Sequence, residues 1–136
     1  MNFKVFDNLC DDSKNIRIMV FVEEQKFEVE FDEFDGISKH IVLYLGDKCI
    51  ATSRIYKEDD LYVIGRIAVV KEYRKLGYGK KIILFSEELI KELGGNKIKI
   101  SAQSRVKEFY EKLGYVTYGD EYYDEYCPHV GMIKVL

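Results

Sequence analysis

Hydrophobic and polar positions follow two different periods along this chain. Short runs in which apolar residues alternate or follow one another predict strands. These runs are residues 1–6, the two arms of a hairpin within 39–56, and residues 61–70, 97–101, 115–119 and 129–136. In the middle of the 61–70 run, Gly65 predicts a bulge or a close backbone approach.

Apolar residues at helical spacing predict three helices between these strands. The first covers residues 11–25, the second starts near Lys80, and the third covers residues 104–114. Glycines that favour helix ends follow the second and third helices. The predicted N-caps of the first helix are Asp11, Asp12 or Ser13, and the predicted stops are Gly94 or Gly95 and Gly114.

Two acidic and aromatic segments, residues 27–38 and 120–128, lack a clear period and are predicted to be loops. Their charge and their rings could attract and enclose a cationic amine. They could equally be ordinary solvated loops, and the sequence leaves both interpretations open.

Composition narrows the class of protein. The 136 residues fit one domain over residues 1–136, and 47% of them are hydrophobic, which is typical of a globular chain. A net charge of −3 argues against nucleic-acid binding. We predict no membrane span and no signal peptide, hence a cytoplasmic protein, and we predict no metal site. The widely spaced Cys10, Cys49 and Cys127 are expected to be free thiols.

The stretch from Arg66 to Gly95 carries the clearest chemistry, because a strand runs into a glycine-containing turn and then into a helix. A helix N-terminus presents N–H groups without intrahelical partners, and the helix dipole adds positive potential. Gly77 and Gly79 allow a phosphate to approach the backbone closely. Cationic residues surround the same turn: Arg74, Lys75, Lys80 and Lys81.

Two familiar phosphate motifs do not match this turn. Ile82 occupies the third glycine position of a dinucleotide-binding fingerprint. Arg74 and Lys81 replace the first glycine and the Ser/Thr of a P-loop. A tight turn with ordinary surface cations therefore stays open as an alternative to a polyphosphate site.

Five stretches resemble the GNAT superfamily of N-acetyltransferases or one of its subgroups. "RKLGYG" after "IAVV" is similar to its R-x-x-G-x-G/A signature, and "SAQSRVKEFYEKLGY" resembles its later strand and helix. In that second stretch Gln103, Val106 and Tyr115 stand at the family's Asn, Ala and Phe positions, while Tyr110 and Gly114 match. "VFVEEQ", "SKHIVLYL" and "PHVGM" look like the ElaA-type subgroup.

The resemblance implies an α/β fold of mixed α+β character, with a mostly antiparallel mixed sheet flanked by helices. It also implies acetyl-CoA as the acyl-donor cosubstrate, with the pantetheine arm between the strands containing Ile67 and Ser101 and the pyrophosphate at the glycine turn. The implied cofactor-binding residues are Ile67, Ala68, Val69, Arg74, Lys75, Leu76, Gly77, Tyr78, Gly79, Lys80, Gln103 and Tyr110.

The same resemblance implies acetyl transfer to the primary amine of a small molecule or amino-acid-like acceptor. Tyr110 is the implied general acid for the thiolate, although its place on an apolar stripe also fits a core tyrosine. Glu24, His40 and His129 are the candidate bases, with Glu24 and His129 favoured. An acyl-CoA sensor with little turnover and a nucleotide-binding protein are the alternatives. The acceptor and a homodimer stay open.

Overall fold

The computed structural model describes residues 1–27 and 31–136. Its strands are β1 Asn2–Phe6, β2 Lys39–Leu45, β3 Lys48–Glu58, β4 Leu61–Val69, β5 Lys97–Gln103, β6 Val116–Asp124 and β7 Cys127–Val135. Its α-helices are α1 Asp11–Arg17, α2 Tyr78–Glu92 and α3 Lys107–Lys112. A π-helical segment, Ile18–Glu24, follows α1, and short 3-10 turns cover Glu33–Gly36, Lys71–Tyr73 and Ser104–Val106.

The seven strands of the described residues form one sheet in the order β1-β2-β3-β4-β5-β7-β6. Strands β4 and β5 run parallel to each other, and the other neighbouring pairs are antiparallel. The predicted mixed, mostly antiparallel sheet is therefore confirmed. In the part of the chain that the structure describes, none of the helices combines the length and apolar character of a membrane span.

Helices α1 and α2 cover opposite faces of this sheet. Side chains alternate along a strand, so the consecutive residues Thr52 and Ser53 of β3 point to different faces. Thr52 hydrogen-bonds Ser13 of α1 at 2.8 Å. Ser53 hydrogen-bonds Ser86 of α2 at 2.9 Å on the other face. Both helices are thus fixed to the centre of the sheet through the same strand.

The larger part of the core lies beneath α2. Ile82, Ile83 and Ile90 of this helix are fully buried against the sheet, and each such side chain contributes roughly 1.5–3 kcal/mol through burial. The predicted stop is confirmed. Gly94 adopts the left-handed φ of +90°, and the Gly95 N–H donates to the Ile90 carbonyl at 2.9 Å, which closes the helix with a Schellman pattern.

The start of the first helix differs from the prediction. Its N-cap is Cys10, which has extended backbone angles, and the expected caps Asp11, Asp12 and Ser13 all lie inside the helix. Ser13 instead uses its hydroxyl in the buried contact with Thr52. A tertiary contact has therefore taken the side chain that would otherwise cap the helix.

The second acidic segment is mostly strand and not loop, so that prediction is wrong. Strand β6 runs on to Asp124, β7 begins at Cys127, and only Glu125 and Tyr126 form the turn. Tyr122 and Tyr123 pair with His129 and Pro128 across the two strands. The first part of β6 was predicted as the strand over residues 115–119. The residues beyond Gly119 are all exposed, so they bury no apolar face that would have extended that prediction.

The first acidic segment, residues 27–38, includes residues 28–30, which lie outside the described residues. The remainder contains an ordered 3-10 turn, which corrects the prediction of a plain loop. Asp32 accepts a hydrogen bond from the Phe34 N–H at 3.0 Å, and Asp35 accepts one from the Asp32 N–H at 3.2 Å. This reciprocal capping box fixes both carboxylates.

Those two carboxylates bind arginines of the protein itself. Asp35 accepts hydrogen bonds from Arg17 at 2.7 and 3.1 Å and from Arg54 at 2.9 Å. Asp32 accepts from Arg54 at 2.6 and 3.0 Å and from Arg66 at 3.2 Å. Burial raises the pKa of Asp35, but hydrogen bonds and charge from Arg17 and Arg54 outweigh it and hold the pKa at about 2. These acids therefore serve the fold.

We expect Asp35→Asn to lower the free energy of unfolding by about 3 kcal/mol at pH 7, because it removes the carboxylate that the buried Arg17 and Arg54 share. Urea denaturation measures this loss. Glu33→Gln removes the same charge from an exposed position of the same turn and should change the stability by less than about 0.5 kcal/mol.

The loss should also depend on pH. The folded-state pKa of Asp35 lies below its ordinary value of 3.8, so its contribution is complete above about pH 4 and is lost as the pH falls towards 2. The difference between wild type and Asp35→Asn should narrow over that window. Equal stability of Asp35→Asn and Glu33→Gln at pH 7 would contradict this role.

Candidate active site

The two parallel strands at the centre of the sheet pair over only three residues. Tyr62, Val63 and Ile64 of β4 stand opposite Ile98, Lys99 and Ile100 of β5. Both strands then continue, β4 to Val69 and β5 to Gln103, without further pairing to each other. A cavity of about 510 Å³ lies along the diverging ends and is lined by residues of both strands.

A bulge distorts β4 where the strands begin to separate. Thr52 of β3 pairs with Ala68 and Arg54 pairs with Gly65, so Arg66 and Ile67 together stand opposite Ser53. The bulge predicted at Gly65 therefore lies at the two residues that follow it, Arg66 and Ile67. Arg66 adopts a left-handed φ of +48°, which is uncommon for a residue with a side chain.

Beyond β4 the turn presents a row of unpaired backbone donors, which we name the amide cradle and define as the N–H groups of residues 76–80. The first hydrogen bond of α2 runs from the Lys81 N–H to the Gly77 carbonyl at 3.1 Å, and among the described residues no backbone acceptor serves the cradle. Lys75 and Gly77 are left-handed, with φ of +64° and +88°. Such a row binds anions well.

The charges along the cavity match this geometry. Five of its lining side chains are cationic, and no lining residue in the described part of the chain is a carboxylate. The cationic residues are Arg66, Arg74, Lys75, Lys80 and Arg105. A chain of net charge −3 therefore carries a locally basic cleft, which suits an elongated polyanion.

Two predicted site residues bind each other. Arg74 donates from its two terminal nitrogens to the Glu24 carboxylate at 2.8 and 2.9 Å, and from Nε to the Val69 carbonyl at 2.9 Å. Glu24 comes from the π-helical segment and does not line the cavity. This salt bridge occupies both the predicted phosphate cation and one predicted base.

A second contact crosses the cavity next to the first. Gln103 donates to the Gln25 side-chain oxygen at 2.7 Å and accepts from Arg105 Nε at 2.9 Å. Glu24 and Gln25 thus reach opposite walls, the turn after β4 and the end of β5. The sequence analysis missed Gln25 and Arg105. The stretch "VFVEEQ", which ends at Gln25, was noted only as part of the resemblance to ElaA.

Tyr110 lies at the base of the cavity. Its ring is buried, with 8% of its surface exposed, and lines the cavity from α3. Its hydroxyl has no hydrogen-bond partner among the described residues. Burial raises its pKa to about 12, so the phenol stays protonated at neutral pH. A core tyrosine would normally have a satisfied hydroxyl, whereas this one has a donor directed at open space.

His129 also lines the cavity, from β7. Its Nδ1 lies 2.9 Å from the Cys127 carbonyl, and a carbonyl only accepts, so Nδ1 carries the proton. Nε2 is then the unprotonated nitrogen, and it has no hydrogen-bond partner among residues 1–27 and 31–136. This tautomer can accept a proton from a ligand in the cavity.

The second histidine has a different environment. His40 is fully buried, does not line the cavity, and donates from Nε2 to the Asp35 carbonyl at 3.0 Å. Burial lowers its pKa despite that hydrogen bond, and the charges of Arg17 and Arg54 act in the same direction. Of the two histidines among the candidate bases, only His129, the one favoured, therefore lines the cavity.

The other predicted cofactor-binding residues divide into two groups. Ile67, Ala68, Val69, Lys75, Gly77, Gly79 and Lys80 line the cavity. Leu76 and Tyr78 do not, since Leu76 is 61% exposed and Tyr78 packs against Tyr73 and the core. These two residues contribute their N–H groups to the amide cradle.

Comparison with known proteins assigns this chain to a family. A model of the acetyltransferase (GNAT) domain matches residues 10–136, and the chain belongs to that family. The N-acetyltransferase YjcF of Bacillus subtilis is 34% identical over 126 residues, which are 90% of each chain. ElaA of Escherichia coli is 29% identical over 126 residues, 88% of this chain and 82% of ElaA.

Solved structures of related proteins share the fold of this chain. The crystal structure of E. coli ElaA superposes with a TM-score of 0.86 at 25% identity and covers 98% of both chains. A Bacillus subtilis acetyltransferase in complex with CoA shares the fold with a TM-score of 0.78 at 18% identity, covering 99% of this chain and 98% of that one. The predicted GNAT fold and the resemblance to ElaA are confirmed.

The amide cradle leads to a prediction with a matched control. Gly77 has a left-handed φ and open space around its Cβ position, and Asn and Asp tolerate that conformation better than other side chains. Gly77→Asn and Gly77→Asp have nearly equal shapes and differ in charge. Calorimetry should show acetyl-CoA binding about 10- to 100-fold weaker for Gly77→Asp than for Gly77→Asn, because the carboxylate repels phosphate.

Equal affinity of these two variants, with both folded, would show that no phosphate lies at the cradle. Gly79→Asp should weaken binding likewise, because Gly79 lines the cavity. Gly79→Ala is its control, since an added Cβ would meet its nearest neighbour, Phe109, at an ordinary 3.6 Å.

Proposed function

We propose that this protein is an N-acetyltransferase that transfers the acetyl group of acetyl-CoA to the primary amine of a small molecule or amino-acid-like acceptor. One observation carries the proposal. The unpaired Tyr110 hydroxyl and the unprotonated His129 Nε2 line the same cavity, which also extends to the glycine turn. A proton donor and a proton acceptor therefore share one site with a phosphate-binding turn.

The residues present fit acetyl-CoA. Its pyrophosphate would be held by the amide cradle with Lys75 and Lys80, and its pantetheine arm by the unpaired edge of β4 at Ile67–Val69. Buried backbone groups need hydrogen-bond partners, and the amides of an extended arm supply them in the way a neighbouring strand would. When bound, the thioester supplies an activated acetyl group.

His129 is the base that we assign to the acceptor. An alkyl ammonium has a pKa of about 10.4 and no lone pair, so it must lose a proton before it can attack. Nε2 accepts that proton, the neutral amine nitrogen bonds to the acetyl carbon, and the carbon–sulfur bond breaks. The second proton then leaves the positively charged nitrogen, and the released thiolate takes it up to give the free thiol and the amide. Glu24, the other favoured base, is held by Arg74, and its catalytic role stays an untested prediction.

Tyr110 is the donor that we assign to the departing sulfur. With a phenol pKa of about 12 and a thiol pKa of about 8.5, full proton transfer to the thiolate costs roughly 5 kcal/mol. Tyr110 therefore acts first as a hydrogen-bond donor to the charge that develops on sulfur. The Tyr110 hydroxyl can donate such a hydrogen bond only because it faces the cavity and has no other partner among the described residues.

The alternative is an acyl-CoA sensor that uses the same cavity without efficient turnover. The paired Arg74 and Gln103 side chains are compatible with it, because neither is free for the cofactor until its partner, Glu24 or Gln25, moves. A sensor, however, has no use for an unpaired donor and an unpaired base beside the thioester. A cytoplasmic location and a homodimer stay predictions.

Tyr110→Phe tests the assignment of the general acid. The change keeps the ring in its buried place and removes only the hydroxyl. Because that hydroxyl has no protein partner, stability should change by less than about 1 kcal/mol. The affinity for acetyl-CoA should stay within a few-fold, while kcat falls roughly 100-fold or more.

Glu111→Gln, at an exposed position of the same helix that does not line the cavity, is a control for general disturbance of α3 and should retain most of the turnover. Measurements of kcat on any active amine and of cofactor affinity by calorimetry decide the matter. Unchanged kcat in Tyr110→Phe, with the chemical step rate-limiting, would remove Tyr110 from the mechanism and favour the sensor.

A further inference from the structure

Tyr122, which the sequence analysis placed in a loop, contacts one of the two proposed catalytic groups. Its ring stacks on the His129 imidazole with a centroid distance of 6.0 Å and an interplanar angle of 24°. Its hydroxyl hydrogen-bonds the Ser101 hydroxyl of β5. The side chain therefore spans β7, with its ring on the imidazole and its hydroxyl anchored to the next strand.

An irregularity in β6 creates this stack. Tyr118 pairs with Gly131 and Tyr122 pairs with His129, so residues 119–121 all stand opposite Val130 alone. Without the two extra residues, regular pairing would place Asp120 opposite His129. Gly119 has the left-handed φ of +70°, which is a conformation that glycine adopts readily. Bulges beside active sites often redirect a side chain in this way.

The two extra residues have a specific consequence. Because their number is even, Tyr118 and Tyr122 stay on the same face of the sheet. The bulge therefore exchanges a carboxylate for an aromatic ring beside the histidine without turning the strand over. A carboxylate there would compete for the ring nitrogen that faces the cavity, whereas a tyrosine ring packs on the imidazole and leaves that nitrogen free.

Other groups fix the remaining sides of the imidazole. The Cys127 carbonyl accepts the Nδ1 proton at 2.9 Å, and Gln103 stands directly opposite His129 on β5. A stacked ring also resists rotation of the imidazole about its Cβ–Cγ bond, because that rotation tilts the imidazole out of the stacked plane. Tyr122 makes this stack and the hydrogen bond to Ser101.

We propose that Tyr122 is a positioning residue that holds the His129 imidazole with Nε2 directed into the cavity. The inference rests on the proposed function only for its kinetic consequence, because the stacked geometry does not depend on what His129 does. Tyr122 does not itself line the cavity, but it contacts two residues that do, His129 through its ring and Ser101 through its hydroxyl. Tyr122→Phe keeps the first contact and removes the second, so it separates the two routes.

Three variants test this with purified protein, acetyl-CoA and an active amine. Tyr122→Leu removes the ring, Tyr122→Phe keeps it, and Tyr123→Leu changes a neighbour that is 69% exposed and on the opposite face. Loss of one stacked aromatic contact should lower kcat/KM by roughly 3- to 10-fold. We expect that loss for Tyr122→Leu and less than about twofold for the other two. The acidic limb of the kcat/KM pH profile should move in Tyr122→Leu alone.

A double variant separates positioning from independent action. In a His129→Gln background, Tyr122→Leu should cause no further loss of kcat/KM, because the residue that it positions is gone. The same fold loss in both backgrounds, or no loss in either, would overturn the proposal.

A spectroscopic measurement is independent of turnover. The chain has two histidines, so the long-range ¹⁵N–¹H spectrum of the ligand-free protein contains two imidazoles, and His129→Gln identifies them. His129 should show the Nδ1–H tautomer in wild type and Tyr123→Leu, and averaged ring-nitrogen shifts in Tyr122→Leu. Unchanged shifts in Tyr122→Leu would overturn the positioning role. Full activity of His129→Gln would instead refute the proposed base.

Discussion

The divergence of two parallel strands is the constraint on which the rest of this structure depends. Strands β4 and β5 share three paired positions, and beyond them the backbone N–H and C=O groups on the facing edges lack partners in the sheet. Buried groups of this kind need hydrogen bonds, so the gap is stable only as a site for water or for a strand-like ligand. The bulge at Arg66 and Ile67 makes the gap, and the amide cradle lies at its outer end.

The surrounding elements place polar side chains along that gap. Helix α3 brings the Tyr110 hydroxyl from one side. His129, on β7, lies next to the end of β5. The π-helical segment closes the outer part, where Glu24 and Gln25 contact Arg74 and Gln103 on opposite walls. Entry of an elongated ligand along the gap therefore requires these two cross-cavity contacts to be exchanged for contacts with the ligand.

Much of the fold and of the glycine turn could be predicted, because their signals are local. The strand, the glycines and the helix of the amide cradle are consecutive in sequence, and the stops at Gly94 and Gly114 follow from backbone sterics. Asp32 and Asp35 show where local reasoning fails. The sequence of their segment suggests an acidic surface for a cation. In the fold, Asp32 instead binds Arg54 and Arg66, and Asp35 binds Arg17 and Arg54.

Several contacts within the candidate site could not be predicted for the same reason. His40 and His129 have similar sequence surroundings, and only the tertiary contacts show that one is enclosed by arginines and the other faces the cavity. Tyr122 gave no signal because an exposed edge strand has no apolar face, and its position opposite His129 depends on a bulge. The pairing of Arg74 with Glu24 joins residues 50 positions apart, which no spacing could indicate.

The most direct test of the central claim is an assay of acetyl-CoA with a panel of primary amines, in which released thiol and acetylated amine are both quantified. For an N-acetyltransferase we expect at least one small amine or amino-acid-like compound to yield the two products in equal amounts and at catalytic turnover. The yield should disappear in Tyr110→Phe combined with His129→Gln. Tight binding of acetyl-CoA by calorimetry without thiol release for any amine in the panel would refute acetyl transfer and identify the protein as a sensor.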